Sequence, residues 1–191
     1  IEGDRIVGVG KNLAVEKFNG SELRRIDATG LTVMPGLIDA HTHITLGEPR
    51  TNDELFLHRD PATAAILAAY NVRKVLRAGV TSMLDVDGIF NIGPALRDSI
   101  NAGVVEGPTM KSGSYALMTA VGGTAGKLIP DSGTAGYAEV VRNKEETVLA
   151  VRRQVKGGAD CIKIHVTGSI PTRSGEIQVW TREELKVVCD T

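Results

Sequence analysis

At 191 residues the chain has the length of one domain or part of one, since domains take roughly 100–200 residues. Hydrophobic residues make up 42% and charged residues 24%, the proportions of globular proteins rather than of long disordered tails. The formal net charge is −1 and aromatic residues are 4%, and no run of Lys and Arg exceeds two, so neither a basic footprint for nucleic acid or anionic lipid nor a base-stacking platform is expected. Cys161 and Cys189 lack metal-finger spacing and read as buried thiols in a reducing compartment. No apolar run approaches the ~20 residues of a membrane span, and no signal peptide is evident, so a cytoplasmic location is expected.

In chain order, residues 1–36 alternate short β-rich runs (5–9, 13–18 and 23–27) with turns at Gly10-Lys11-Asn12 and Asn19-Gly20. The Asn-Gly pair is a hairpin signal, so this part reads as a small β element, part of a sandwich. From residue 37 the rhythm changes to strand and helix. A strand over 37–43 leads to a helix opened by Asp60 as N-cap and Pro61 at its first position. Ile66, Leu67, Val72, Val75 and Leu76 form its apolar face, and Gly79 closes it. A strand over 80–86 follows, then a helix over 94–101 closed by Gly103, and a strand over 109–112. A long Gly-rich loop, 112–139, is expected as a pocket wall or lid. A helix over 144–156 has Val148, Leu149, Val151 and Val155 inward and ends at Gly157-Gly158; a strand over 159–166 comes next. The last helix starts at Thr181 with a capping box, Thr181-Arg182-Glu183-Glu184. It has barely started at Thr191, and Ile1 enters directly into β-rich sequence, so both ends read as cut.

Repeated strand–helix units predict an α/β fold with parallel strands. They suit either a doubly wound sheet or half of an eight-stranded barrel, which needs ~250 residues when complete.

Chemistry concentrates in two segments. In Pro35-Gly36-Leu37-Ile38-Asp39-Ala40-His41-Thr42-His43, alternate residues share a strand face, so His41 and His43 stand about 7 Å apart with Asp39 behind them. Two imidazoles so placed can converge on metal, or can simply be polar residues at a strand–loop junction. In Gly158-Ala159-Asp160-Cys161-Ile162-Lys163-Ile164-His165, the apolar Ile162 and Ile164 oppose Cys161, Lys163 and His165. A lysine on an inward face must be paired, neutral or modified, and one modification is a carbamate formed with carbon dioxide. A salt bridge or a general-base lysine are the alternatives. Asp85 and Asp87, at the end of the second strand, read equally as carboxylates lining a site or as loop caps. Cys161 reads as core, His58 as solvated, and His165 as a structural, supporting or substrate-contacting residue.

Together these motifs resemble the amidohydrolase superfamily of metal-dependent hydrolases, closest to its imidazolonepropionase-like, prolidase-like and phenylurea-hydrolase-like branch. The resemblance implies the first half of a (β/α)8 TIM-type barrel over residues 37–191, preceded by part of a small N-terminal β-sandwich over 1–36. It implies a binuclear site, with His41 and His43 on one metal and carboxylated Lys163 bridging both. Two divalent ions are expected, Zn²⁺ first, with Co, Mn or Ni as alternatives, and carbon dioxide for the lysine. Two further histidines and an aspartate would come from the other half of the barrel. The implied chemistry is hydrolysis of an amide, carbamate, urea or cyclic amide in a small molecule, with Tyr115, Met118 and His165 toward substrate and a homo-oligomeric assembly. Leu84 stands where relatives acting on dipeptides often carry Arg. Gly122-Gly123-Thr124-Ala125-Gly126 stands where they tend to have Gly-Gly-His-Gly. Both departures weigh against a dipeptidase, which is the alternative beside a non-catalytic barrel serving assembly.

Overall fold

The computed structural model describes residues 1–11, 13, 24–123, 129, 131–169 and 175–191. The chain forms two compact units, Ile1–Pro35 and Gly36–Thr191. In the first, Glu2 and Arg5 form an antiparallel bridge, and Asp27 accepts hydrogen bonds from the backbone and hydroxyl of Thr29. The expected strands at 5–9 and 23–27 do not form among the described residues, because a strand needs a ladder partner and that bridge is the one pairing described there. The Asn19-Gly20 turn and residues 14–18 lie outside the described residues.

The second unit begins with a three-stranded parallel sheet of β1 (Leu37–Thr42), β2 (Val80–Asp85) and β3 (Thr109–Ser112) in that order. Parallel neighbours require a crossover, supplied by α1 (Pro61–Arg77) and α2 (Ile92–Asn101). Asp60 caps α1 as expected, accepting from the backbone N–H groups of Ala62 and Thr63, and Gly79 ends it at φ 93°, a conformation in which a Cβ would be strained. Of the face expected on α1, Val72 is buried and Val75 packs against the core, but the buried stripe is centred elsewhere. Ala64, Ala68, Asn71 and Val72 are inward, while Ile66 is 71% exposed. Small residues let the helix approach the sheet closely, and that outweighs the count of large apolar residues on the neighbouring stripe.

The described residues of 112–139 are not the loop the sequence suggests. Gly113 donates to Asp85 O and Gly88 donates to Ser114 O, so the chain keeps alongside β2 past β3 and enters β4 (Ala116–Thr119). A short helix, α3 (Asp131–Tyr137), then leads into β5 (Ala138–Val141). β4 lies between β5 and β6 (Lys163–Ile164), both parallel to it. The strand expected over 159–166 is thus ladder-paired only at β6. Its start is instead pinned by Asp160, whose N–H donates to Ser112 O and whose carboxylate accepts from Arg97, Lys111 and Ser112 N. β7 (Thr167–Ser169) and β8 (Glu176–Gln178) form an antiparallel pair that nothing in the sequence signalled.

Two cores hold the unit together. Ile44, Val72, Met83, Ile89, Met110, Met118 and Tyr137 belong to one. Leu117, Val151, Trp180 and Val188 belong to the other, with Ile162 and Ile164 packed against it. Adjacent residues of β4 therefore serve opposite cores, as strand alternation requires. Helix α4 (Lys144–Lys156) has the expected bounds but buries Thr147, Ala150, Val151 and Gln154, leaving Leu149 and Val155 exposed. Helix α5 (Arg182–Asp190) has both halves of the capping box at Thr181 and Glu184. It buries Val188 and exposes Cys189, against the expectation of a buried thiol. No helix among the described residues is long and apolar enough to cross a membrane.

Candidate functional site

β1 carries His41, and His43 follows one residue past its end. Their rings lie edge to face with centroids 5.1 Å apart, so the alternation read from the sequence does bring the imidazoles together. Asp39 does not join them; its carboxylate accepts from the backbone N–H of His41.

Lys163, on β6, reaches across so that its Nζ is 3.3 Å from His41 Nε2. Which of the two nitrogens donates in this contact depends on the tautomer of His41. Among the described residues no carboxylate forms an ion pair with Lys163, which removes the simple salt-bridge reading for those residues.

His43 is fixed from behind. Its Nδ1 is 2.5 Å from Asp87 Oδ1 and 3.1 Å from the Asp87 carbonyl. Asp87 is fully buried just past β2, and its other carboxylate oxygen is 3.2 Å from His165 Nε2. Burial alone would raise the Asp87 pKa, but the hydrogen bonds from His165 and His43 outweigh it and hold the carboxyl well below the usual range. The same hydrogen bond raises His43 above its ordinary value against the opposing effect of burial. Asp85, two residues earlier, behaves oppositely. Burial pushes it up to about 6, although it accepts from Ile44 N–H and Ser112 Oγ.

The donor set suits a divalent transition ion in part. A carboxylate on His43 Nδ1 leaves the Nε2 lone pair outward, the tautomer in which metal-binding imidazoles are commonly held. His41 Nε2 faces an amine able to carry a carbamate, 3.3 Å away. Among the described residues no three His, Cys, Asp or Glu side chains converge as a complete cation site.

The remaining expected residues are distributed as follows. Tyr115 is half-buried, its phenol raised by burial and by the charge of Glu139. Met118 is buried in the first core, and His165 is buried against Asp87 rather than open. Cys161 is half-buried, its thiol raised by burial, and His58 is exposed at the end of a π-helical turn, Glu54–His58. Read from the sequence, Asp87 had no preference over Asp85. The one signal that could have separated them is spacing: Asp87 lies beyond the paired part of β2, where a side chain is free to reach neighbouring strand ends.

Residues 32–187 match the amidohydrolase family, and the chain belongs to that family. Ochratoxinase from Aspergillus niger is 30% identical over 176 residues, which is 83% of this chain and 36% of that protein. Imidazolonepropionase from Alkaliphilus metalliredigens is 46% identical over 54 residues, 28% of this chain and 13% of that one. Among solved structures, A. niger ochratoxinase superimposes with a TM-score of 0.69 at 27% identity, covering 82% of this chain and 40% of that one. A Xaa-Pro dipeptidase with methionine bound in its active site gives 0.68 at 29% identity, with 82% and 40% covered. The chain thus spans less than half the length of these relatives.

Proposed function

We propose that this chain supplies the first four β/α units of a (β/α)8 barrel, residues 37–191, in a metal-dependent hydrolase that cleaves a C–N bond of an amide, carbamate, urea or cyclic amide. Residues 1–36 would belong to its N-terminal sandwich. The observation that carries the reading is the contact of Lys163 Nζ with His41 Nε2, beside a second imidazole locked by Asp87. His41, His43 and carboxylated Lys163 would hold one or two divalent ions, zinc first among them, with the other ligands coming from the rest of the barrel. When bound, such ions polarise a carbonyl and make a water acidic enough to act near neutral pH.

The residues of this chain have separable tasks. His41 and His43 offer neutral imidazole nitrogens. Asp87 holds His43 in one tautomer and orientation. Lys163, once its amine has added carbon dioxide and lost its proton, offers two oxygens in place of a cation. Tyr115 is assigned to the substrate side, being half-open at the start of β4. Leu84 stands where a carboxylate-clamping Arg would be needed, which favours substrates other than dipeptides.

His41→Ala in the full-length protein should lose metal and activity together, read by elemental analysis and by hydrolysis of a panel of amides, carbamates and ureas. Lys163→Ala should be inactive and partly rescued by short carboxylic acids. Full activity in His41→Ala or in Lys163→Arg would refute the assignment, and a wild-type protein without metal would favour a non-catalytic barrel.

A further inference from the structure

The Asp87 carboxylate joins two histidines from different strand ends, and only one of them belongs to the proposed metal centre. Its Oδ1 lies 2.5 Å from His43 Nδ1 without hydrogen-bond alignment, its backbone carbonyl is 3.1 Å from the same nitrogen, and its Oδ2 is 3.2 Å from His165 Nε2. A carbonyl and an ionised carboxylate accept and cannot donate, so each ring must present an N–H to Asp87: Nδ1–H from His43, to the carbonyl with Oδ1 close beside it, and Nε2–H from His165, to Oδ2.

His165 is poorly placed to touch a substrate. Its side chain is 5% exposed and its ring lies 5.9 Å from that of Tyr137. Gly123 covers another side so closely that a Cβ there would come within 2.5 Å of His165 Cβ and 2.6 Å of its Nδ1. Among the described residues His165 Nδ1 has no hydrogen-bond partner, so the polar contact the ring makes there is the one to Asp87. The backbone is tied down as well, by His165 N–H donating to Leu117 O. A buried ring committed to one carboxylate oxygen acts on that carboxylate.

We infer that His165 is a positioning residue: by holding the Asp87 side chain it keeps Oδ1 against His43 Nδ1 and so supports, beside the Asp87 carbonyl, the Nδ1–H tautomer of His43 with the Nε2 lone pair directed away from the carboxylate. The inference rests on the reading of His43 as a metal ligand, but the His165–Asp87–His43 relay exists before any metal binds. Removing the His165 donor frees one Asp87 oxygen, lets the carboxylate turn about its terminal torsion, and loosens its hold on His43. Partners of this kind, one step behind a ligand, typically change metal affinity by roughly 10–100-fold.

The test uses full-length protein labelled with ¹⁵N-histidine and stripped of metal, at a pH where both rings are neutral. Long-range ¹H–¹⁵N spectra should show His43 protonated on Nδ1 and His165 on Nε2. His165→Phe fills similar space without a donor; it should give a mixture of His43 tautomers and a zinc affinity lower by about tenfold in calorimetry. His165→Gln restores an N–H donor and should return His43 to the single tautomer. If His165→Phe leaves the His43 tautomer and zinc affinity unchanged and raises KM alone, His165 contacts substrate and the inference fails. It fails equally if wild-type His43 carries its proton on Nε2, a result that needs no variant to fold. A wild-type protein that takes up no zinc would refute the metal-centre reading, whereas the tautomers would still decide the relay.

Discussion

Asp85 and Asp87 stand two residues apart at the end of β2, and their surroundings drive them in opposite directions. Asp87 faces two imidazoles that favour its charge, whereas Asp85 faces a backbone N–H and a hydroxyl that only partly offset its burial. Because the folded-state pKa of Asp85, about 6, lies above its ordinary value of 3.8, the native state binds the extra proton between those limits. Its contribution to stability is therefore present below about pH 4 and is lost as pH rises through 6, up to about 3 kcal/mol over that window. Asp85→Asn keeps an acceptor for Ile44 N–H and presents an amide to Ser112 Oγ. The variant should lose this part of the pH dependence and gain about 1–3 kcal/mol at pH 7. Thermal melts at pH 4, 5.5 and 7 check it: a slope matching the wild type would mean that Asp85 is already fully compensated as an anion.

At the scale of elements, capping chemistry was legible because it is local. Asp60-Pro61, Gly79 and the Thr181–Glu184 box lie where the sequence places them. Thr181→Ala should remove the side-chain acceptor of Glu184 N–H, worth about 1 kcal/mol, and speed amide exchange at 185–188 about fivefold. Thr181→Ser should not. Helix faces were only partly legible: Val72 of α1 and Val151 of α4 are buried as expected, but alanine, threonine and glutamine are buried beside them while Ile66 and Leu149 face outward. Hydrophobicity favours the large residues, but the distance between helix and sheet selects the small ones, and that distance is a tertiary quantity. The segment 112–139 shows the same limit. Gly133 and Gly136 argue against a helix by propensity, yet α3 needs them, because a Cβ at either would meet Leu57 or the Phe90 ring.

At the scale of the whole molecule, β1 stands at the edge of its sheet among the described residues, with Ile38 75% exposed and Leu37 also open. An apolar edge of this kind invites pairing with another chain or segment. If, as proposed, further barrel units complete the fold, residues 1–191 alone should associate or unfold over a broad range, whereas a protein with those units should melt cooperatively. Size-exclusion chromatography and calorimetry distinguish the two. A monomeric fragment with a sharp transition would show that the two cores suffice without a closed barrel.

The sequence by itself determined the alternation of β1, α1, β2, α2, β3, α4 and α5 but not β4, α3, β5, β7 or β8; it also determined the caps at Asp60 and Thr181 and the pairing of two imidazoles on one strand face, because each depends on residues within a few positions of one another. It also carried the family, through motifs that a short strand keeps intact. Only the tertiary structure decided that Lys163 meets His41 across 122 residues, that Asp87 rather than Asp85 serves the histidines, and that His165 turns to Asp87. Those contacts join strand ends far apart in the chain, and which side chains meet there depends on register, on the backbone path through Gly113 and Ser114, and on close packing at Gly123.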